Sequence, residues 1–235
     1  MATYEDYQNN KLFILGGKLA DLMVLSALWV LCCLPVVTIG ASTAALYYSV
    51  NKRFGLRAED SPSSLFFHSF KDNLGQGILL SIIYIVFCGF IVFDIAAANN
   101  GIGGVTLPEG YKMFAYVLIL PVAFTIFYIF PYISRYSNTI KNCLVNSFLL
   151  SAAHIDHTVY LILMNVVTAL ACLFFPPALL VLPALCSLLS SKLIEKDFAR
   201  AEHQAEEAAR ADEEDEESAA DDADTDDEPS SDDEE

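Results

Sequence analysis

Four stretches of this chain carry no Asp, Glu, Lys or Arg: Leu22–Asn51, Gly75–Phe93, Met113–Ser134 and Thr158–Ser191, of 30, 19, 22 and 34 residues. A helix crossing a bilayer needs about 20 such residues, because the hydrocarbon core is about 30 Å thick. Runs of this length therefore predict an all-α integral membrane protein. The net charge of −17 and the 54% hydrophobic content belong to different parts of the chain. Residues 1–200 hold 12 Lys/Arg and 11 Asp/Glu, whereas residues 201–235 hold Arg210 alone against 19 Asp/Glu. The body is nearly neutral and apolar, which excludes an ordinary soluble domain, a disulfide-stapled secreted domain and a basic nucleic-acid binder. The expected division is a polytopic membrane domain over 1–200 and an acidic cytoplasmic tail over 201–235.

Two of the runs are too long for one crossing. Helix over the 34 residues of Thr158–Ser191 would reach about 51 Å. Pro176 and Pro177 lie at its middle and remove two backbone donors, so a tight hairpin is expected, Thr158–Phe175 then Ala178–Lys192. The first run is interrupted by Pro35 and Gly40. Either Leu22–Ser42 is one span followed by an interfacial helix, or a span from Leu12 turns through Pro35–Gly40 and returns through Ala41–Asn51. The second solution brings Lys18 and Asp21 into the first third of the span, where a spacing of three lets them pair on one helix face. Lys and Arg concentrate on the cytoplasmic side of membrane proteins. Six segments leave only Lys112 outside, with 12 Lys/Arg inside, while five segments divide them ten to three. Six spans, arranged as three helical hairpins, are preferred over five, and both place the C-terminus in the cytoplasm.

Two stretches between spans are amphipathic. Ser61-Pro62 reads as an N-cap with proline at the first helical position, opening a helix with Phe66, Phe70 and Leu74 on one face. Ser137–His154 places Ile140, Leu144 and Phe148 on a second stripe. Both are expected to lie in the membrane interface. Lys192–Ala211 is rich in helix formers and should continue the last span, and the acidic sequence from Asp212 is expected to be disordered. Glu5 and Asp6 replace the basic start of a cleavable leader, so the first segment should remain as an anchor.

Chemistry-bearing patterns are sparse. The six cysteines form no C-x-x-C pair and read as small reduced thiols. His154 and His157 are three apart, but two ligands do not specify a metal site. No G-x-S-x-G, H-E-x-x-H or phosphate-loop motif occurs. No catalytic residue, cofactor or metal is therefore assigned. Polar groups inside spans are the default place to look for function, which singles out Asp21 and Asn165, with Thr38, Thr43 and Thr168 beside them. Pro35, Thr38, Gly40, Pro176 and Pro177 form the structural motif. Thr38 can satisfy a carbonyl freed at the Pro35 break, and Ala41, Ser42, Ala44 and Ala45 let helices approach closely.

The segment Leu34-Pro35-Val36-Val37-Thr38-Ile39-Gly40, followed by Ala44-Ala45-Leu46-Tyr47-Tyr48 and later by Phe66-Phe67-His68-Ser69-Phe70-Lys71-Asp72-Asn73, resembles the YesL family of bacterial integral membrane proteins. The likeness covers roughly residues 8–198 and leaves out the acidic tail. It implies a multi-pass protein of the bacterial cytoplasmic membrane. Relatives accompany carbohydrate-uptake transporters and saccharide-degrading enzymes, and the family supplies no catalytic residue. Three functions are expected in order. The first is a non-enzymatic accessory or interaction protein, with the lipid bilayer, a carbohydrate-transporter component and a basic cytosolic partner for the tail as its partners. The second is a small-solute transporter or channel, which the prolines at 35, 121 and 131 favour. The third is a membrane enzyme acting on lipid or saccharide through Asp21 or the His154–His157 segment.

Overall fold

The computed structural model describes residues 11–56, 59–101, 108–136 and 138–225, and every regular element among them is helical. The chain divides into two units, Met1–Ile194 and Glu195–Glu235. Helix α1 spans Lys11–Cys32. It stops there because Pro35 biases the residue before it towards extended backbone. A single 3-10 turn, Val36–Thr38, leads into α2, Ile39–Val50, which ends in a π-type turn over Asn51–Gly55. The Thr38 hydroxyl is shared between the carbonyls of Cys32 at 2.6 Å and Pro35 at 2.7 Å, so the acceptors exposed by the break are satisfied within it. Of the two readings of the first run, this is the hairpin.

Helix α3 spans Pro62–Asp72, and Ser61 caps it by accepting the Ser64 amide at 3.3 Å. Helix α4, Leu74–Asn100, follows across Asn73 and ends at Gly101, whose φ of 76° is open to glycine and strained for other residues. Helices α5, Glu109–Val117, and α6, Ile119–Arg135, are parted at Leu118. The ring of Pro121 faces the carbonyl four residues back, at Val117, which is where α5 ends. Pro131 lies inside α6 without ending it, and the Ser134 hydroxyl donates to the Pro131 carbonyl at 2.7 Å. Helix α7 spans Ile140–Ala153 and α8 spans Ile155–Phe174. A 3-10 turn over Pro176–Leu180 then opens α9, Leu182–Thr225, so Pro176 and Pro177 sit at the hairpin's corner.

Four segments are long and apolar enough to cross a membrane: Leu15–Cys32, Leu74–Asn100, Gly110–Arg135 and Ile155–Phe174. The two remaining arms of the expected hairpins are short. Helix α2 has 12 residues, or about 18 Å of rise, and α9 meets Lys192 after its first ten. Short as it is, α2 is the hub, packing against α1, α3, α4 and α6. Nine of its residues are buried, mostly Gly, Ala and Ser. A core of Leu22, Leu25, Ala45, Leu46, Val50, Phe66 and Ala184 joins α1, α2, α3 and the start of α9.

Two expectations change on contact with the structure, those for Asp21 and for the tail, and the apolar stripe expected on α7 is found turned partly outward, as an interfacial helix requires. Asp21 does not rely on Lys18 as its partner: its carboxylate accepts from Arg53 Nε at 2.8 Å, and Lys18 is exposed. The return of α2 brings Arg53 alongside α1, which spacing along one helix cannot reveal. The stripe on α7 that faces protein is Cys143, Ser147, Leu150 and Ser151, while Phe148 is exposed and Leu144 half-buried. Small side chains let α7 lie close on α6, and the bulky apolar ones are left outward. Finally, α9 remains helical to Thr225, past Asp212 where composition begins the disordered arm. Ala and Glu recur through that stretch and are strong helix formers. Residues 226–235, the rest of that arm, lie outside the described residues.

Candidate functional site

A cavity of about 480 Å³ lies within the first unit, walled by α1, α2, α6, α8 and the start of α9. Two of its walls are stripes at helical spacing. On α8 they are Leu161, Asn165, Thr168, Ala169 and Cys172, and on α9 Pro183, Cys186, Ser187, Ser190 and Ile194. Trp29 of α1 and Thr43 of α2 form the facing side, and Ile126, Phe127 and Phe130 of α6 close it. The Trp29 indole N–H donates to Thr43 Oγ1 at 3.3 Å, which ties α1 to α2 beside the cavity. No charged side chain appears among the described residues lining it.

The cavity exists because α8 and α9 are splayed by the Pro176–Leu180 corner and α9 is held to α1 at its start. The Ala184 amide belongs to the first turn of α9, where no helical acceptor is available. It donates to the buried Ser26 hydroxyl of α1 at 3.1 Å. On the α8 wall, Asn165 Nδ2 donates to the Leu161 carbonyl and Thr168 Oγ1 to the Met164 carbonyl, both at 2.8 Å. On the α9 wall, Ser190 Oγ donates to the Cys186 carbonyl at 2.8 Å.

The sequence-predicted residues separate into distinct places. Asn165, Thr43 and Thr168 meet at this cavity. Asp21 does not; it belongs to the Arg53 ion pair, with the two side chains 21% and 30% exposed. Pro35 and Thr38 shape the α1–α2 turn. Gly40 marks the crossing of α2 over α4. Its amide donates to Ser81 Oγ at 2.8 Å, and Ser81 donates on to the Gly77 carbonyl at 2.8 Å. A Cβ at Gly40 would stand 2.5 Å from Ser81 Oγ and 2.6 Å from the Gly77 carbonyl. His154 and His157 stack with ring centroids 5.9 Å apart, and no group of three or more potential metal ligands occurs among the described residues. All six cysteines are free.

Sequence reasoning missed several residues. Trp29, Cys186, Ser187 and Ser190 line the cavity; small and polar positions recurring three and four apart on the last hairpin carried the signal for Cys186, Ser187 and Ser190, and Trp29 on α1 had none. Asp94 was also missed, because counting uncharged residues ends the second run at Phe93. The helix continues through Asp94 to Asn100, and the buried Asp94 carboxylate accepts the Tyr111 hydroxyl of α5. A second, polar cavity of about 370 Å³ lies between α3, the start of α4 and the end of α6. Its lining includes Ser69, Asp72 and Asn73 from the Phe66–Asn73 segment and Tyr48 from the Ala44–Tyr48 segment, together with Arg135. Asp72 is paired with His68 at 2.8 Å.

Comparison with known proteins yields one family. Residues 22–95 match the family described as protein of unknown function, DUF624. The matched stretch covers the second half of α1, all of α2 and α3 and most of α4, and so includes Trp29, Thr43 and the Gly40–Gly77 crossing. No curated protein and no solved structure matches the chain.

Proposed function

We propose that the protein is a non-enzymatic accessory or interaction protein of the bacterial cytoplasmic membrane, of the YesL type, with a cytoplasmic C-terminus and a role linked to carbohydrate uptake and use. The observation that carries this reading is the outward apolar surface of its long helices. Only 11% of the α8 span and 17% of the α1 span are buried within the chain. Lipid covers such faces, and so does a neighbouring membrane protein. The resemblance of the Pro35–Gly40 and Phe66–Asn73 segments to the YesL family supplies the bacterial membrane and the carbohydrate association. The match to a family of unknown function runs over residues 22–95 and so contains both segments. Crosslinking in native membranes followed by affinity isolation tests the reading. It should recover a carbohydrate-transporter component in stoichiometric amount, and recovery of no membrane partner overturns it.

A second reading, a small-solute transporter or channel, draws its support from the cavity between α2, α6, α8 and α9. Its uncharged and mainly apolar walls suit a sugar poorly, since a buried polyhydroxyl solute needs a hydrogen-bond partner for nearly every group. Sugar flux into proteoliposomes above that of empty vesicles would favour this reading over the first.

A further inference from the structure

We infer that the cavity between α1, α2, α8 and α9 is a binding site for a neutral amphiphile with a hydroxyl head group and an apolar chain. This inference stands apart from the accessory role, since it rests on the cavity wall alone. Three features of the wall lead to it. The described lining residues bear no charge, so a charged ligand would be desolvated without compensation. The volume of about 480 Å³ falls in the ordinary range for small-ligand sites, and most of the wall is aliphatic or aromatic. The third feature sets the head group. Thr168 Oγ1 and Ser190 Oγ each direct their hydrogen to a backbone carbonyl of their own helix, and Asn165 directs an amide hydrogen to Leu161. The two hydroxyls then leave lone pairs towards the cavity, Asn165 keeps its carbonyl oxygen and one amide hydrogen, and Thr43 and Ser187 add two further hydroxyls to the lining. The Asn165 carbonyl oxygen meets the Cys186 thiol at 3.7 Å, and a thiol is a weak donor that a hydroxyl outcompetes.

A lining rich in acceptors, with a few hydroxyl and amide donors beside them, selects a neutral head group that donates one hydrogen bond and can accept another. An alkane of the same length gains the apolar burial but leaves Asn165 Oδ1 without a strong partner. A carboxylate brings only acceptors and a charge. An alcohol satisfies both halves of the wall.

The protein carries a single tryptophan, Trp29, and it lines this cavity, so its fluorescence reports on occupancy. The full-length protein in phosphatidylcholine nanodiscs is titrated with ω-bromoundecanol and, separately, with bromoundecane, whose bromine quenches indole on contact. Saturable quenching by the bromo-alcohol, reversed by unbrominated undecanol, is expected, with affinity about five- to tenfold above that of the bromoalkane, as one added hydrogen bond implies. Asn165→Leu should remove that preference, and Thr168→Val should reduce it, each without changing the melting transition of the unliganded protein by more than a few degrees. Quenching that rises linearly with probe in the bilayer, or that is equal for alcohol and alkane in the wild-type protein, overturns the assignment whatever the variants do. Saturable, alcohol-selective quenching that survives in folded Asn165→Leu overturns the role given to the acceptor wall.

Discussion

Adding one methyl group to Gly77 should destabilise the protein, and adding one to Gly89 on the same helix should not. Gly77 faces the start of α2, where a Cβ would stand 2.6 Å from Ala41 N, 2.7 Å from its Cα and 2.8 Å from its Cβ. Ordinary contact begins at 3.4 Å, and the obstructing atoms are mainly backbone, so the helices must separate by about 0.8 Å. Overpacking of this kind costs about 1–3 kcal/mol. The separation also stretches the Gly40 amide to Ser81 hydroxyl bond beyond 2.8 Å, adding about 1 kcal/mol. Replacing glycine by alanine within a helix returns about 1 kcal/mol. The net loss for Gly77→Ala is then about 1–3 kcal/mol, or a fall in melting temperature of roughly 3–10 °C for a unit of this size. Around Gly89 nothing lies within 4 Å of the added carbon, so Gly89→Ala should leave the melting temperature unchanged or raise it slightly. Thermal melts in mild detergent, followed by size-exclusion of the surviving monodisperse fraction, compare the two. Equal melting temperatures for the two variants would refute the close crossing of α2 and α4.

Thr38→Val keeps the shape of the side chain and removes its hydroxyl, leaving the Cys32 carbonyl short of a donor while the Pro35 carbonyl keeps the Thr38 amide at 2.9 Å; a loss of about 1 kcal/mol is expected, with Thr38→Ser close to wild type in the same melt. The double variant Asp21→Asn with Arg53→Met should be destabilised by about 1 kcal/mol less than the sum of the two single losses, a coupling that falls to zero in the double-mutant cycle if the ion pair is incidental. Reporter fusions after Ser191 should read cytoplasmic, and an outside reading would overturn the orientation inferred from Lys and Arg placement. Truncation after Ala211 removes 16 of the acidic residues and should leave insertion and melting temperature intact; failure of the truncated protein to insert would make the tail part of the membrane fold.

The parts of the fold that were legible in the sequence are those decided locally. Pro35 and Pro176-Pro177 act on their immediate neighbours, so their turns appear where the residues stand. The long runs became helices for the same reason: an apolar environment requires every backbone group to be bonded within its own segment. What remained hidden depends on chain segments far apart. Asp21 finds its partner 32 residues away, and the Ala184 amide finds Ser26 at a separation of 158. The end of α4 was hidden differently. A carboxylate reads as a boundary until something neutralises its demand for hydrogen bonds, and Tyr111 does so for Asp94 from another helix.

The cavity was half legible, and the half that was missed explains its chemistry. Asn165, Thr43 and Thr168 stand out as polar residues in apolar helices, but their presence alone does not say whether they serve a ligand or the fold. The hydrogen bonds answer that for each atom separately. The hydroxyl hydrogen of Thr168 and one amide hydrogen of Asn165 turn back to their own helix, which is how a lipid-embedded helix keeps polar side chains satisfied. Satisfying donors in this way leaves the oxygens with unused lone pairs, and α8 and the start of α9 point several of them into one space, with Trp29 and Phe130 on its far side. The same economy that makes these residues tolerable in a membrane therefore tilts the polarity of the cavity towards acceptors. A site rich in acceptors discriminates mainly by what the ligand donates, which is why alcohol against alkane is a sharper test of this protein than any comparison among sugars.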